Sequence, residues 1–176
     1  MTRSRRFTLG LGLALAILAL DQLSKWWIVE RVMAPPRVIP VTPFFNLVMG
    51  WNRGVSFGMF NWDSVATAWI FSALALVIVA VLLVWMARDD RASCAAALGL
   101  VIGGALGNVI DRVRFGAVAD FLDFHAFGHH WPAFNAADAA ISAGAALLIM
   151  DALFAGPHSP RNKTDGTTDQ DRTRDS

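Results

Sequence analysis

Asn135-Ala136-Ala137-Asp138-Ala139-Ala140-Ile141-Ser142-Ala143-Gly144-Ala145-Ala146-Leu147-Leu148-Ile149-Met150 is small and apolar throughout, except for an acid near its head. Carried on to Phe154, the run is long enough to cross a bilayer, which takes about 20 residues. An ionisable group in such a run costs at least a few kcal/mol unless it is paired or wet, so Asp138 is a functional candidate by default. The same residues also suit a plain helix start. Asn135 is a preferred N-cap, and an acid in the first turn complements the helix dipole.

Three further blocks are long and apolar enough to span: about Leu9–Val29, Val65–Met86 and Ser93–Ile110. The chain is 55% hydrophobic and only 16% charged, with the apolar residues gathered into blocks, which is the pattern of an integral membrane protein. A formal net charge of +1 gives no support for nucleic-acid binding. Cys94 is the only cysteine, which excludes an internal disulfide and a zinc–cysteine cluster. Arg3, Arg5 and Arg6 before Leu9–Leu20 resemble the start of a cleaved signal peptide. However, Ala14-Leu15-Ala16 falls inside the apolar core and the pattern resumes after Asp21, so an uncleaved first helix is expected. The expected fold is an all-α membrane protein with four transmembrane helices and a small extracytoplasmic β-rich cradle. Residues 1–155 form one domain, and the polar tail 156–176 is expected to be disordered and cytoplasmic.

Lys and Arg set the orientation. Arg3, Arg5, Arg6, Arg88, Arg91, Arg161, Lys163, Arg172 and Arg174 fall on one side, and Lys25, Arg31, Arg37, Arg53, Arg112 and Arg114 on the other, nine against six. Both termini are therefore expected in the cytoplasm. Trp26, Trp27, Trp62, Trp69 and Trp131 would form an outer interfacial belt, with Trp85 at the inner interface. The loops Glu30–Ser64 and Asp111–Phe134 would face outward. In the first, Pro35, Pro36, Pro40 and Pro43 keep the start extended. The β-prone runs Phe44–Met49 and Val55–Phe60, on either side of Gly50–Gly54, read as a hairpin or cradle on the membrane surface.

Four constellations stand out. Asp21 and Lys25 share a face at i, i+4 near the outer end of the first helix, either as a neutral pair with Lys25 reaching to the headgroups or as a support for a site. Gly99, Gly103 and Gly107 make small-xxx-small pairs that let helices approach closely. Gly104, Asn108 and Arg112 follow one stripe, and Asp111-Arg112 would put charge at the outer surface. Finally, Asp120 and Asp138 are joined by a short loop and must lie near the same interface. If they touch they share a proton, and such a pair can hold and activate water. Asp138, at a helix N-terminus, is expected to be the ionised member. Asp120, in a loop before Phe121, Leu122 and Phe124, is expected to hold the proton.

Three other patterns carry less. Gly54-Val55-Ser56-Phe57-Gly58 matches a serine nucleophile elbow, but the chain lacks the α/β sheet that motif needs. Asp120, Asp123, His125, His129 and His130 could be metal ligands, yet there is no HExxH and Gly128 interrupts any helix. Cys94 has no histidine nearby and reads as a small apolar residue. The rival to an enzyme is a membrane scaffold or transporter subunit whose buried polar residues pair helices.

The blocks Asp21-Gln22-Leu23-Ser24-Lys25, Asn52-Arg53-Gly54-Val55-Ser56-Phe57, Gly103-Gly104-Ala105-Leu106-Gly107-Asn108-Val109-Ile110-Asp111-Arg112, Val118-Ala119-Asp120-Phe121 and Phe134-Asn135-Ala136-Ala137-Asp138 resemble the bacterial lipoprotein signal peptidases (signal peptidase II), in family order and at family-like spacing. Ala119 and Ala136 stand where bulkier aliphatic residues are common. The resemblance implies an inner-membrane aspartyl endopeptidase, acting as a monomer among membrane lipids. Its substrates would be diacylglyceryl-modified prolipoproteins, cut just before the lipidated cysteine on the periplasmic side. It implies Asp120 and Asp138 as the catalytic pair and Asn52, Gly54, Asn108, Asp111, Arg112 and Asn135 around the site. Asp21 and Lys25 would support it, and no metal or organic cofactor is implied. The loop Pro35–Phe60 could close over the peptide.

Overall fold

The computed structural model describes residues 2–54 and 64–154. Within them the apolar blocks form α1 (Arg3–Trp27), α2 (Ser64–Arg88), α3 (Ala92–Phe115) and α4 (Ala136–Phe154). All four are long and apolar enough to cross a membrane. One π-helical turn, Ile28–Val32, prolongs α1. The strands β1 (Ile39–Thr42), β2 (Phe45–Asn52), β3 (Val118–Ala126) and β4 (His129–His130) pair antiparallel in the order β1-β2-β3-β4.

Glycines make α3 the hub. Of its most apolar window 56% is buried, against 17% for each of the other three spans, so α3 is wrapped by helices while the others face lipid. Gly99 packs on the backbone of Gly10 and Gly103 on that of Ala14, while Gly107 packs on the Asp21 side chain, all on α1. Gly104, one residue round the helix, packs on Ala137 of α4, where an added Cβ would lie 2.5 Å from the carbonyl oxygen. Lipid tails give apolar helices no reason to associate, so close backbone contact of this kind supplies the attraction. Towards the end that holds the α2–α3 turn, Ala14, Val79, Met86, Cys94, Ala95, Leu98 and Ile102 fill the core. Cys94 is a packed small residue there. Arg91 bridges Asp89 at 2.8 Å and Asp151 at 2.6 Å, and so clips α4 to the α2–α3 turn. Trp26, Trp27, Trp69 and Trp131 are exposed near one end of the bundle and Trp85 near the other. Trp62 and the tail 156–176 lie outside the described residues.

Two expectations need correction. The first concerns the cradle: the hairpin of the first loop is β1–β2, and Gly50–Asn52 belongs to a strand rather than to the gap between two. Phe45–Asn52 runs straight through Gly50 and Trp51 as one strand, hydrogen-bonded to β1 on one side and to β3 of the second loop on the other. Val55–Phe60 lies outside the described residues. The second correction concerns α3, which does not stop at Ile110. It continues to Phe115 and ends at Gly116, whose φ of 69° supplies the left-handed cap. Asp111 is therefore a helical residue and is 1% exposed, not a surface charge. Beneath the sheet, Ile28, Met33 and Phe121 form a second apolar cluster that seats the cradle on the end of α1.

Gly104→Val should force α3 and α4 apart, lower stability by about 1–3 kcal/mol, as overpacking does, and lower the unfolding temperature in detergent. Gly12, with no atom within 4 Å of an added Cβ, is the control. Gly12→Ala should leave the unfolding temperature unchanged or raised.

Candidate active site

The glycine stripe Gly99, Gly103, Gly107 reaches Asp111 at the next i+4 step, and Asp111 meets the buried pair on α1. Lys25 Nζ lies 2.9 Å from Asp21 Oδ2, 2.9 Å from Asp111 Oδ2 and 3.0 Å from Asn108 Oδ1. An ammonium has three N–H donors, and here each has an acceptor. Lys25 is 3% exposed, so it does not reach to the headgroups as one sequence reading allowed; it is committed inward. The carboxylates it neutralises hold backbone in turn. Asp21 Oδ1 accepts from the Ala137 N–H at 2.9 Å, one of the free donors at the start of α4. Asp111 Oδ2 accepts from the Ala119 N–H at 3.1 Å, just before Asp120.

Gln22 received no role in the sequence reading. Its Nε2 donates to Asp21 Oδ2, the Gly107 carbonyl and Asp111 Oδ1 at 3.1–3.2 Å. An amide beside an intramembrane acid was the available signal.

Asn135 joins this cluster to both acids. It is 0% exposed. Its Nδ2 donates to Asp120 Oδ1 at 2.7 Å, to the Ala119 carbonyl at 3.3 Å and to Asn108 Oδ1 at 3.3 Å. Its Oδ1 accepts from the Asp138 N–H at 3.0 Å, and its own N–H donates to Asp138 Oδ2 at 3.3 Å. This is a reciprocal capping box with Asp as the acid. Asn108 completes the ring: its Nδ2 donates to Asp138 Oδ1 at 2.8 Å, while its Oδ1 accepts from Lys25. Asn135 Nδ2 thus holds Asp120, Asn108 Nδ2 holds Asp138, and the two side chains are bonded to each other.

Asp120 is not in a loop. It lies on β3, opposite Gly50 of β2, and is 4% exposed. Gly50 is small for a reason: a Cβ there would lie 3.3 Å from the Asp120 carbonyl oxygen. Burial, and next the nearby charge of Asp138, push the Asp120 carboxyl up to about 6, against hydrogen bonds from Asn52 and Asn135 that lower it. Asn52 also accepts the Gly54 N–H at 2.8 Å, and Gly54 has a φ of 90° with a Phe71 ring where a Cβ would go. Arg112 Nη1 donates to the Asn108 carbonyl at 3.2 Å, its guanidinium lies 5.7 Å from the Phe71 ring centre, and its buried Nε has no hydrogen-bond partner among the described residues. Two carboxyls, one of them easily protonated near neutrality, with free guanidinium donors beside them, can take a proton from water and give one to a carbonyl oxygen.

The histidines belong elsewhere. Residues three apart on a strand point to opposite faces, so Asp123 is turned away from Asp120. Its carboxylate accepts from Asn46 Nδ2 at 2.9 Å and pairs with His130 Nδ1 at 2.9 Å, while His125 stacks on His130 at 4.8 Å. Burial works to raise the Asp123 carboxyl, but the bonds from Asn46 and His130 together hold it below the usual range. His129 is next to His130 on a strand and faces the other way. Among the described residues no group of three or more His, Cys, Asp or Glu could hold a metal. Phe127 and Gly128, both at positive φ, make the turn between β3 and β4. Ser56, the candidate elbow serine, lies outside the described residues.

The chain is similar to known proteins along most of its length. The sequence profile described as signal peptidase (SPase) II matches residues 13–154. A lipoprotein signal peptidase from Methylorubrum extorquens (strain PA1) is 45% identical over 163 residues, 91% of this chain and 94% of that one. Another from Azoarcus sp. (strain BH72) is 48% identical over 152 residues, 85% of each chain. A bacterial membrane enzyme solved by the in meso method superposes with a TM-score of 0.73 at 30% identity, covering 84% of this chain and 94% of that one.

Lys25→Met should be destabilising by about 3–5 kcal/mol, since it leaves Asp21 and Asp111 buried without a counter-charge. Chemical or thermal unfolding in detergent would measure it. Lys25→Met combined with Asp21→Asn should recover part of the loss, because one unpaired charge is then removed.

Proposed function

Because the chain belongs to the signal peptidase (SPase) II family, we propose that it removes signal peptides from diacylglyceryl-modified prolipoproteins, cutting before the lipidated cysteine with Asp120 and Asp138 as its catalytic pair. The observation that carries the residue assignment is the amide bridge, in which Asn135 holds Asp120 and Asn108 holds Asp138 at the mouth of one multi-pass helix bundle.

In the reactive form, populated below about pH 6, Asp138 is the carboxylate and Asp120 carries the proton. Burial and the Asp138 charge favour that state at Asp120. The Asp138 carboxylate accepts from Asn108 Nδ2 at 2.8 Å and from the Asn135 N–H at 3.3 Å, in the first turn of α4 where the helix dipole suits an anion. A water between them attacks the scissile carbonyl carbon. Its proton goes to Asp138, and the Asp120 proton goes to the carbonyl oxygen, giving a neutral gem-diol. Asp138 then passes its proton to the amide nitrogen of the lipidated cysteine and the C–N bond breaks. As the carboxylic acid forms, Asp120 takes back a hydroxyl proton, and the pair returns to its starting state. Arg112, with a buried Nε free, stabilises negative charge that develops on the oxygen during attack.

Four spans put both termini on the same side. The excess of Lys and Arg on that side supports termini in the cytoplasm and acids at the periplasmic face of the inner membrane. A substrate held in the bilayer by its diacylglycerol presents its bond at that depth. One copy supplies every group named above, so the proposed reaction requires no second subunit.

A diacylglyceryl-modified peptide should be cleaved before its cysteine and the unmodified peptide should not. Asp120→Asn and Asp138→Asn should each lower turnover by at least roughly 10²–10⁴-fold with the unfolding temperature kept, the scale of lost acid–base catalysis. Strong inhibition by a chelator, reversed by zinc, would overturn the assignment.

Because cleavage needs Asp120 protonated, kcat/KM should fall as pH rises through about 6. Asn52 lowers the Asp120 pKa, so Asn52→Ala should move that alkaline limb to higher pH. A limb that stays in place under uniform loss of activity would assign Asn52 to substrate positioning.

A further inference from the structure

Arg53 is exposed and forms no ion pair or hydrogen bond through its side chain among the described residues. Its neighbours on both sides are fixed. Asn52 ends β2 and bonds the Gly54 N–H at 2.8 Å, and Gly54 is held at a φ of 90° against Phe71. Arg53 thus sits at the apex of a rigid turn beside the residue that touches Asp120. A cleft of about 530 Å³ opens there, walled by Trp51, Asn52, Arg53, Pro132 and Ala133 with Asp120 at its floor. Trp51 packs on Phe115 at 5.2 Å, so that wall is also fixed. Among the described residues lining this cleft, the one charged group apart from Asp120 is a cation, Arg53.

The reaction decides what enters the cleft. The signal peptide and the diacylglycerol are apolar and stay with the helices. The half of the substrate that must reach water is the chain after the cysteine, and this cleft joins Asp120 to water. Gly50 lies opposite Asp120, and Arg53 follows three residues later, just past the end of β2, which puts it no more than about 10 Å further on at a strand rise of about 3.3 Å per residue. An extended substrate covers the same distance in about three residues. Resting on the peptidase reading above, we infer that Arg53 is a specificity-determining residue that favours an acidic side chain at the second or third position of the mature lipoprotein, counting the lipidated cysteine as the first.

The test uses three diacylglyceryl-modified peptides that differ only at those two positions: Asp-Asp, Ser-Ser and Lys-Lys. The kcat/KM of the acidic peptide should exceed that of the basic one by roughly three- to tenfold, an attraction and a repulsion each of exposed ion-pair size. The ratio should shrink as salt is raised. Arg53→Gln should bring the ratio to about one, and Arg53→Glu should reverse it, each variant being checked for folding by its unfolding temperature. A wild-type ratio near one, or a ratio that survives both substitutions, overturns the inference while cleavage of the Ser-Ser peptide leaves the peptidase reading standing. If the wild-type protein cleaves none of the three, both readings fall together.

Discussion

Taking an ammonium out of water into a helix bundle costs several kcal/mol, and attraction repays it only where geometry and hydrogen bonding are complete. Lys25 meets that condition with three acceptors at 2.9–3.0 Å: Asp21 from its own helix, and Asp111 and Asn108 from α3. The rest of the outer end hangs from this contact. Asp21 fixes the start of α4 through the Ala137 N–H, and Asp111 fixes the start of β3 through the Ala119 N–H. Those two backbone bonds set the residues next to Asp138 and Asp120. A buried ionic cluster is weak evidence for stability as such. Here it registers a helix and a strand against each other.

The glycines make that cluster possible. Without Cβ atoms at Gly99, Gly103 and Gly107, α1 approaches α3 closely enough for Asp21 and Lys25 to reach Asp111 and Asn108. Gly104 does the same for α4. The amides then carry the arrangement outward. Asn108 bonds Asp138, Asn135 bonds both acids, and the two amides are bonded to each other, so neither carboxyl can move without the other's support changing. The acids sit where a helix bundle gives way to a sheet. One is governed by a helix terminus, the other by an apolar strand next to a charge, and this is the pairing of unlike environments that separates an acid from a base.

Much of this was legible in the sequence. The four spans follow from apolar length alone, and the start of α4 at Ala136 follows from the capping pattern of Asn135 and Asp138. The close packing of α3 follows from its glycine spacing. The burial of Asp111 was missed because the stripe Gly104–Asn108–Arg112 was followed; the neighbouring stripe, Gly99–Gly103–Gly107, leads at the next step to Asp111 and so into the bundle. Lys25 was ambiguous because snorkelling and inward pairing leave the same i, i+4 pattern, and only the partner helix decides between them. The strand beneath Asp120 was illegible for another reason. β2 and β3 come from different loops, their register depends on each other, and local pattern does not encode it.

Infrared difference spectroscopy on the resting protein in detergent tests the account most directly, because a protonated carboxyl has a C=O stretch separate from that of a carboxylate. Spectra across pH 4 to 9 of the wild type, Asp120→Asn and Asp138→Asn proteins would be compared. The account predicts one buried protonated carboxyl in the wild type, titrating near 6 and absent from Asp120→Asn. In Asp138→Asn it should persist but titrate at lower pH, since the neighbouring charge that raises it is gone. A signal lost in Asp138→Asn and kept in Asp120→Asn, or two carboxyls titrating independently near pH 4, would contradict it.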